Sequence, residues 1–146
     1  MEVEELLNQY AAGERNFAGV NLTEAKLSGV NLSGANLSRA NLSVANFSGA
    51  NLSGANLSYA KLNVARLSGA NLSGANLKRA ILNVANLIRA DFTGADLTGA
   101  ALIRAELIRA ELSKANLNSA DLNGADFREA RLRQANLSRA NLNQAN

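Results

Sequence analysis

Carboxylates carry whatever acid–base chemistry this sequence could perform. It contains no His, Cys or Trp, so the commonest general bases, nucleophiles and metal ligands are missing. Two carboxylate pairs share a spacing, since Glu106 and Asp126, and likewise Asp91 and Glu111, lie twenty residues apart. Neither pair falls in a pocket that sequence can identify. Arginines stand close by, and surface salt links worth about 0–1 kcal/mol are the expected role. The glycines are spread singly rather than gathered ahead of a helix, so there is no phosphate loop. The expectation is a protein that is not an enzyme, with no catalytic residue, metal site, cofactor or small-molecule substrate.

Any functional group here must be positioned by a repeat. From Lys26 to Ala85 the chain reads, in fives, KLSGV NLSGA NLSRA NLSVA, then NFSGA NLSGA NLSYA KLNVA, then RLSGA NLSGA NLKRA ILNVA. A five-residue unit is thus nested in one of twenty, and a fixed period of this kind sets the whole architecture. Leu or Phe holds every fifth place from Phe17 to Leu142, and all four Phe (Phe17, Phe47, Phe92, Phe127) fall in that expected core ladder. Ala stands two places before each Leu from Val20 to Ala145, with Val20 and Val30 as exceptions.

On an extended chain, residues two apart point the same way, so Ala and Leu face inward together while Asn between them faces out. The fifth residue breaks that alternation and requires a corner. A helix is excluded because an apolar residue every five positions forms no stripe at 3.6 residues per turn. Disorder is excluded because a disordered chain keeps no strict Leu frame.

The place two after Leu runs Gly29, Gly34, Arg39, Val44, then Gly49, Gly54, Tyr59, Val64, then Gly69, Gly74, Arg79, Val84, so four corners close one circuit. Leu-Ser-Gly-Ala suits a type II turn with Gly at positive φ. A β-branched residue resists that conformation, and Val44, Val64 and Val84 therefore predict a second turn type confined to their own column. The outward Asn and Ser, as in Asn31, Asn51 and Asn71, predict flat polar ladders that serve solubility.

These residues resemble the pentapeptide-repeat family, whose unit is A-(N/D)-L-x-x. The likeness covers Asn16 to Asn146 in twenty-six tandem units, and its capped, single-domain form is similar to cyanobacterial members. The resemblance implies an all-β solenoid, a right-handed quadrilateral β-helix. Four pentapeptides per coil give about 6.5 coils, a rod on the order of 30 Å long at ~4.8 Å per coil. The domain reading is 1–15 as an N-terminal helical cap and 16–146 as the β-helix, one domain in all. Val3, Leu6, Leu7 and Tyr10 fall at helical spacing behind Glu2, Glu4 and Glu5, predicting a short amphipathic helix that ends near Gly13 and covers the first coil.

No run resembles a secretory or membrane-spanning segment, so cytoplasmic residence is the default. The exterior changes character late in the chain. Leu-Ile-Arg-Ala recurs at Leu87, Leu102 and Leu107. The candidate partner patch is Ile81, Val84, Ile88, Arg89, Ile103, Arg104, Ile108 and Arg109, read as apolar and outward on a rod otherwise polar. At the far end Arg128, Glu129, Arg131 and Arg133 cluster before a stop with no cap. End-to-end homodimerisation through the bare carboxyl end is the expectation, as the resemblance implies for family members.

The function these features favour is a rigid scaffold that binds a protein partner or itself, and the resemblance to cyanobacterial members implies a regulatory role. The alternative is nucleic-acid-related. DNA mimicry with topoisomerase inhibition, which the family includes, needs an acidic exterior, whereas residues 16–146 hold fourteen Lys/Arg against eight Asp/Glu. Direct DNA binding is disfavoured by charges scattered over four faces and by Tyr59 being the one outward aromatic in the coils.

Overall fold

The computed structural model describes Met1–Asn146. Residues at the Asn position pair in parallel with the residue twenty places on, from Asn16 with Asn36 through to Asp121 with Asn141. The twenty-residue period is therefore the circuit, and each bridge is isolated because the chain turns a corner after every pentapeptide. One coil shows the bonding. Leu67 donates its amide to Asn86 at 2.8 Å, Gly69 donates to Ile88 at 2.9 Å, and Asn86 donates back to Ala65 at 2.9 Å. The Leu and Ala ladders fill the interior almost without exposure, and no polar or charged residue is buried.

The expected second turn type is not found. Every corner carries its third residue at positive φ, from Gly19 through Gln144, including Val44 at 62°, Val64 at 59° and Val84 at 60°. Every corner is also closed by the same bond, as Ala65 donates to Leu62 at 3.1 Å and Ala70 to Leu67 at 3.0 Å. The left-handed conformation costs a non-glycine residue on the order of 1–2 kcal/mol. Any other turn would misdirect the amide that bonds the next coil, and an unsatisfied buried donor costs about 1–3 kcal/mol. The ladder wins over the side chain's preference.

The polar ladder has a role in the corners beyond the one expected. Asn31 accepts the amide of Ser33 through Oδ1 at 3.1 Å, Asn51 that of Ser53 at 3.0 Å and Asn71 that of Ser73 at 2.9 Å. These are Asx turns that hold their corners from outside. Asp91, Asp96 and Glu111 do the same for Thr93, Thr98 and Ser113.

Three of the phenylalanines are fully enclosed and Phe127 is half-buried, because only one partial coil lies above it. They do not stack on one another: the twenty-residue register puts Phe47 and Phe127 in one column, with leucines between, and Phe17 and Phe92 in two others.

A single helix, α1 (Val3–Ala11), precedes the coils. Leu6 is wholly buried, while Val3, Leu7 and Tyr10 pack against the same core. Two carbonyls of the first coil, which no lower coil can serve, find donors here. The Tyr10 hydroxyl donates to Ser33 at 2.8 Å, and the Met1 ammonium donates to Asn21 at 3.3 Å. At the opposite end the amides of Leu132, Leu137 and Leu142 have no acceptor, and Leu142 is 45% exposed.

Candidate interaction surfaces

The four corners are best named by their residues in one coil: Tyr59, Val64, Gly69 and Gly74. The twenty-residue register stacks Arg39, Tyr59 and Arg79 at the first, and Val44, Val64, Val84 and Arg104 at the second. Gly49, Gly69, Arg89, Arg109 and Glu129 stack at the third, while the Gly74 corner keeps Gly through Gly94.

The predicted Ile/Arg patch is divided by this geometry. Ile88 and Ile108 line a shallow groove at the Gly69 corner with Arg89, Arg109, Arg128 and Glu129. Ile103, Val84 and Arg104 occupy the Val64 corner, and Ile81 lies on the flat face before it. All four isoleucines are half-buried against neighbouring coils rather than fully outward, which corrects their reading as exposed. Ile103 has a specific support. Ala101 stands where an Asn would hold the corner, and Asn83 of the preceding coil accepts the Ile103 amide instead, at 2.9 Å. Arg89, Arg104 and Arg109 are exposed. Arg109 pairs with Glu129, and that ion pair holds the Glu129 carboxyl below its ordinary value.

Apart from Leu142 in the last coil, the exposed large apolar residues of the coils are Val44 at 47%, Tyr59 at 45%, Val64 at 50% and Val84 at 52%. Of these the predicted patch contained Val84 alone. Val44 and Val64 continue the column of Val84 in the sequence, and their place, which elsewhere takes Gly, suggests a change of turn. The Arg39 guanidinium lies over the Tyr59 ring, 4.6 Å from its centroid.

Six of the eight carboxylates of the coils are engaged with near neighbours, Glu24 and Glu106 being the exceptions. The backbones of Glu106 and Asp126 pair between adjacent coils, as do those of Asp91 and Glu111. Arg128 donates to both oxygens of Asp126, with Nη2 at 2.7 Å, and these bonds lower the Asp126 carboxyl. Glu111 is lowered chiefly by the Ser113 hydroxyl and amide, with Arg131 at 3.7 Å contributing less. No group of three or more acidic side chains converges on a point where a cation could sit. The depressions on the rod are open and lie among the charged side chains of its last coils, not in the packed interior. No helix is long and apolar enough to cross a membrane.

The model of pentapeptide repeats matches residues 16–54, 45–83, 85–124 and 110–146, in eight copies. Among solved structures, the chain is similar to HetL, a pentapeptide repeat protein involved in heterocyst differentiation regulation from the cyanobacterium Nostoc sp. strain PCC 7120. The identity is 30% and the TM-score 0.56, over 99% of this chain and 94% of that one. A pentapeptide repeat protein of the Arabidopsis thaliana thylakoid lumen is 28% identical, with TM-score 0.53 over 77% of this chain and 68% of that one. A trypsin-treated variant of QnrB1, a plasmid-mediated fluoroquinolone resistance protein, is 26% identical, with TM-score 0.57 over 89% and 71%. No curated protein matches the chain.

Proposed function

The chain belongs to the pentapeptide-repeat family, and on that premise we propose that it is a non-enzymatic scaffold acting by protein contact, with a partner or with itself. The observation that carries this reading is the solid interior. Leu and Ala fill it, no polar residue is buried, and no cavity opens between the ladders. Chemistry is left to the outer surface, where six of the eight carboxylates of the coils are already tied to neighbouring side chains or amides.

In the same reading the fold is right-handed and four-sided with about 6.5 coils. Residues 16–146 form the β-helix, and 1–15 form its cap, a role supported by the buried Leu6 and by the donors that Met1 and Tyr10 offer to the first coil. Association of two copies through the last coil is the self-contact of this reading, supported by the Leu132, Leu137 and Leu142 amides that lack an acceptor and by the exposed Leu142. Cytoplasmic residence remains the assignment, although a relative resides in the thylakoid lumen. DNA mimicry is set aside, since not one Asp or Glu lies between Lys26 and Ala90.

The predicted Ile/Arg patch supplies the test. The wild type and a variant carrying Ile81→Ser, Ile88→Ser, Ile103→Ser and Ile108→Ser are compared as baits in lysate of the source organism, with circular dichroism confirming that both fold. Retention of a protein by the wild type alone supports the scaffold and places its contact on those residues. If neither bait retains a protein and the wild type is monomeric at micromolar concentration, the reading fails.

A further inference from the structure

We propose that the face bounded by the Tyr59 and Val64 corners docks an acidic segment of a partner protein that also carries aliphatic side chains. This inference deepens the scaffold reading and rests on it, but it locates the contact elsewhere than the isoleucines of the Gly69 corner.

Val44, Val64 and Val84 are the β-branched residues among all the positive-φ positions of the chain. They occur consecutively, stacked on one corner, and each is about half exposed. Nothing in the fold asks for them, because Gly occupies the same place at other corners with open space around it. Strain of this kind, held at three successive coils on the outside of a rod, points to use of the side chains by something external. Tyr59 extends the apolar surface to the neighbouring corner, and half-buried Ile81 lies on the face between.

Charge identifies the class of partner. From Lys26 to Ala90 the chain holds seven Lys or Arg and no Asp or Glu. Lys61 stands exposed on this face, Arg39 and Arg79 on one border of it, and Arg66 just beyond the other. None of these four has a carboxylate within ion-pair distance. The Arg79 stem leans over Gly99 in the next coil, as Arg39 leans over Tyr59, so the cations flank the valine ridge rather than cover it. A ridge of exposed valines edged by unanswered cations is complementary to carboxylates interleaved with aliphatic groups. A nucleic acid would satisfy the cations and leave the valines wet. The Gly74 corner carries no valine, and its one cation is Lys114.

The test uses the full chain and four short fluorescent probes at low ionic strength, read by anisotropy. The probes are a peptide of Glu, Asp and Leu, the same peptide with Lys for its acids, a leucine-free acidic peptide, and single-stranded oligothymidylate. The first should bind most tightly, and more weakly as salt is raised. The variant Val44→Asn, Val64→Asn, Val84→Asn should bind it about tenfold less tightly. Asn tolerates left-handed backbone, so that variant should melt no lower than the wild type. A second variant, Lys61→Ser with Arg79→Ser, leaves every corner valine in place and should weaken binding as well. The inference is overturned if no probe binds. It is also overturned if the leucine-free peptide or the oligothymidylate binds as tightly as the first probe, or if the valine variant binds unchanged. If binding is lost only in a variant carrying Ile88→Ser and Ile108→Ser, this face is wrong while the scaffold reading survives.

Discussion

The amide of Val64 donates to the carbonyl oxygen of Asn83, one coil further on, at 3.0 Å, and it does so with Val64 at φ 59°. The bond and the strain are one fact, since the left-handed corner aims that amide along the rod. Replacing Val64 with Asn should keep the bond and relieve strain, at the loss of contacts from a side chain already half exposed. The net change should lie between neutral and about 1 kcal/mol of stabilisation, a rise in Tm of up to ~4 °C. Calorimetry checks it, and a loss above about 1 kcal/mol would show that the stacked valines stabilise the rod.

Position along the rod should decide the cost of a buried charge. Leu67 is wholly enclosed between coils, whereas Leu137 lies in the last circuit and is only partly buried. Leu67→Glu leaves an uncompensated charge in the stack, and a loss of at least about 4 kcal/mol is expected, enough to abolish cooperative folding. Leu137→Glu should cost less than about 2 kcal/mol, because its carboxylate can reach water at the open end. Chemical denaturation of the two variants separates them.

Acid should weaken the later coils and the Glu14 junction between α1 and the first coil, where hydrogen bonds from the Asn16 and Arg15 amides hold the Glu14 carboxyl below its ordinary value. Arg128 lowers the Asp126 carboxyl, Arg109 lowers that of Glu129, and Ser113 lowers that of Glu111. Burial pushes Asp96 up, but the Thr98 hydroxyl and amide, helped by Lys78, leave it below its ordinary value. A depressed carboxyl stabilises the fold above its ordinary value, 3.8 for Asp and 4.5 for Glu, and that stabilisation is lost as pH falls through the folded value. Melting temperature should therefore be level from about pH 7 to about pH 5 and decline below 4.5. Asp126→Asn should make the acid decline shallower.

Amide exchange reads the two ends of the rod. Leu67 and Leu87 donate within the ladder and should exchange slowly, while Leu132, Leu137 and Leu142 have no acceptor and should exchange fast in a monomer. If copies join through this end, those three amides should become protected as concentration rises. Fast exchange at every concentration would count against end-to-end association.

Much of the architecture was legible because it rests on period alone. The Leu frame from Phe17, the twenty-residue circuit and the helix around Leu6 follow from spacing, and the coordinates agree with each. What spacing could not reveal was the competition at each corner. Val64 looks wrong for a positive φ until the amide it must aim at Asn83 is known. Asn51 looks like a solvated residue until its Oδ1 is found on the Ser53 amide. The Ile88 and Ile108 side chains were expected outside, and neighbouring coils half bury them. Val44 and Val64 visibly continue the column of Val84 in the sequence, but at a place that elsewhere takes Gly they look like a second turn type, and that turn does not occur.

The most direct measurement places a photo-reactive amino acid at Val64 in one variant and at Ser73 in another, beside the Gly74 corner, and compares covalent adducts formed in lysate of the source organism. Protein adducts from position 64 with few or none from position 73 are the predicted result. Equal labelling from both positions, or none from either, would contradict a scaffold that works through one face of the rod.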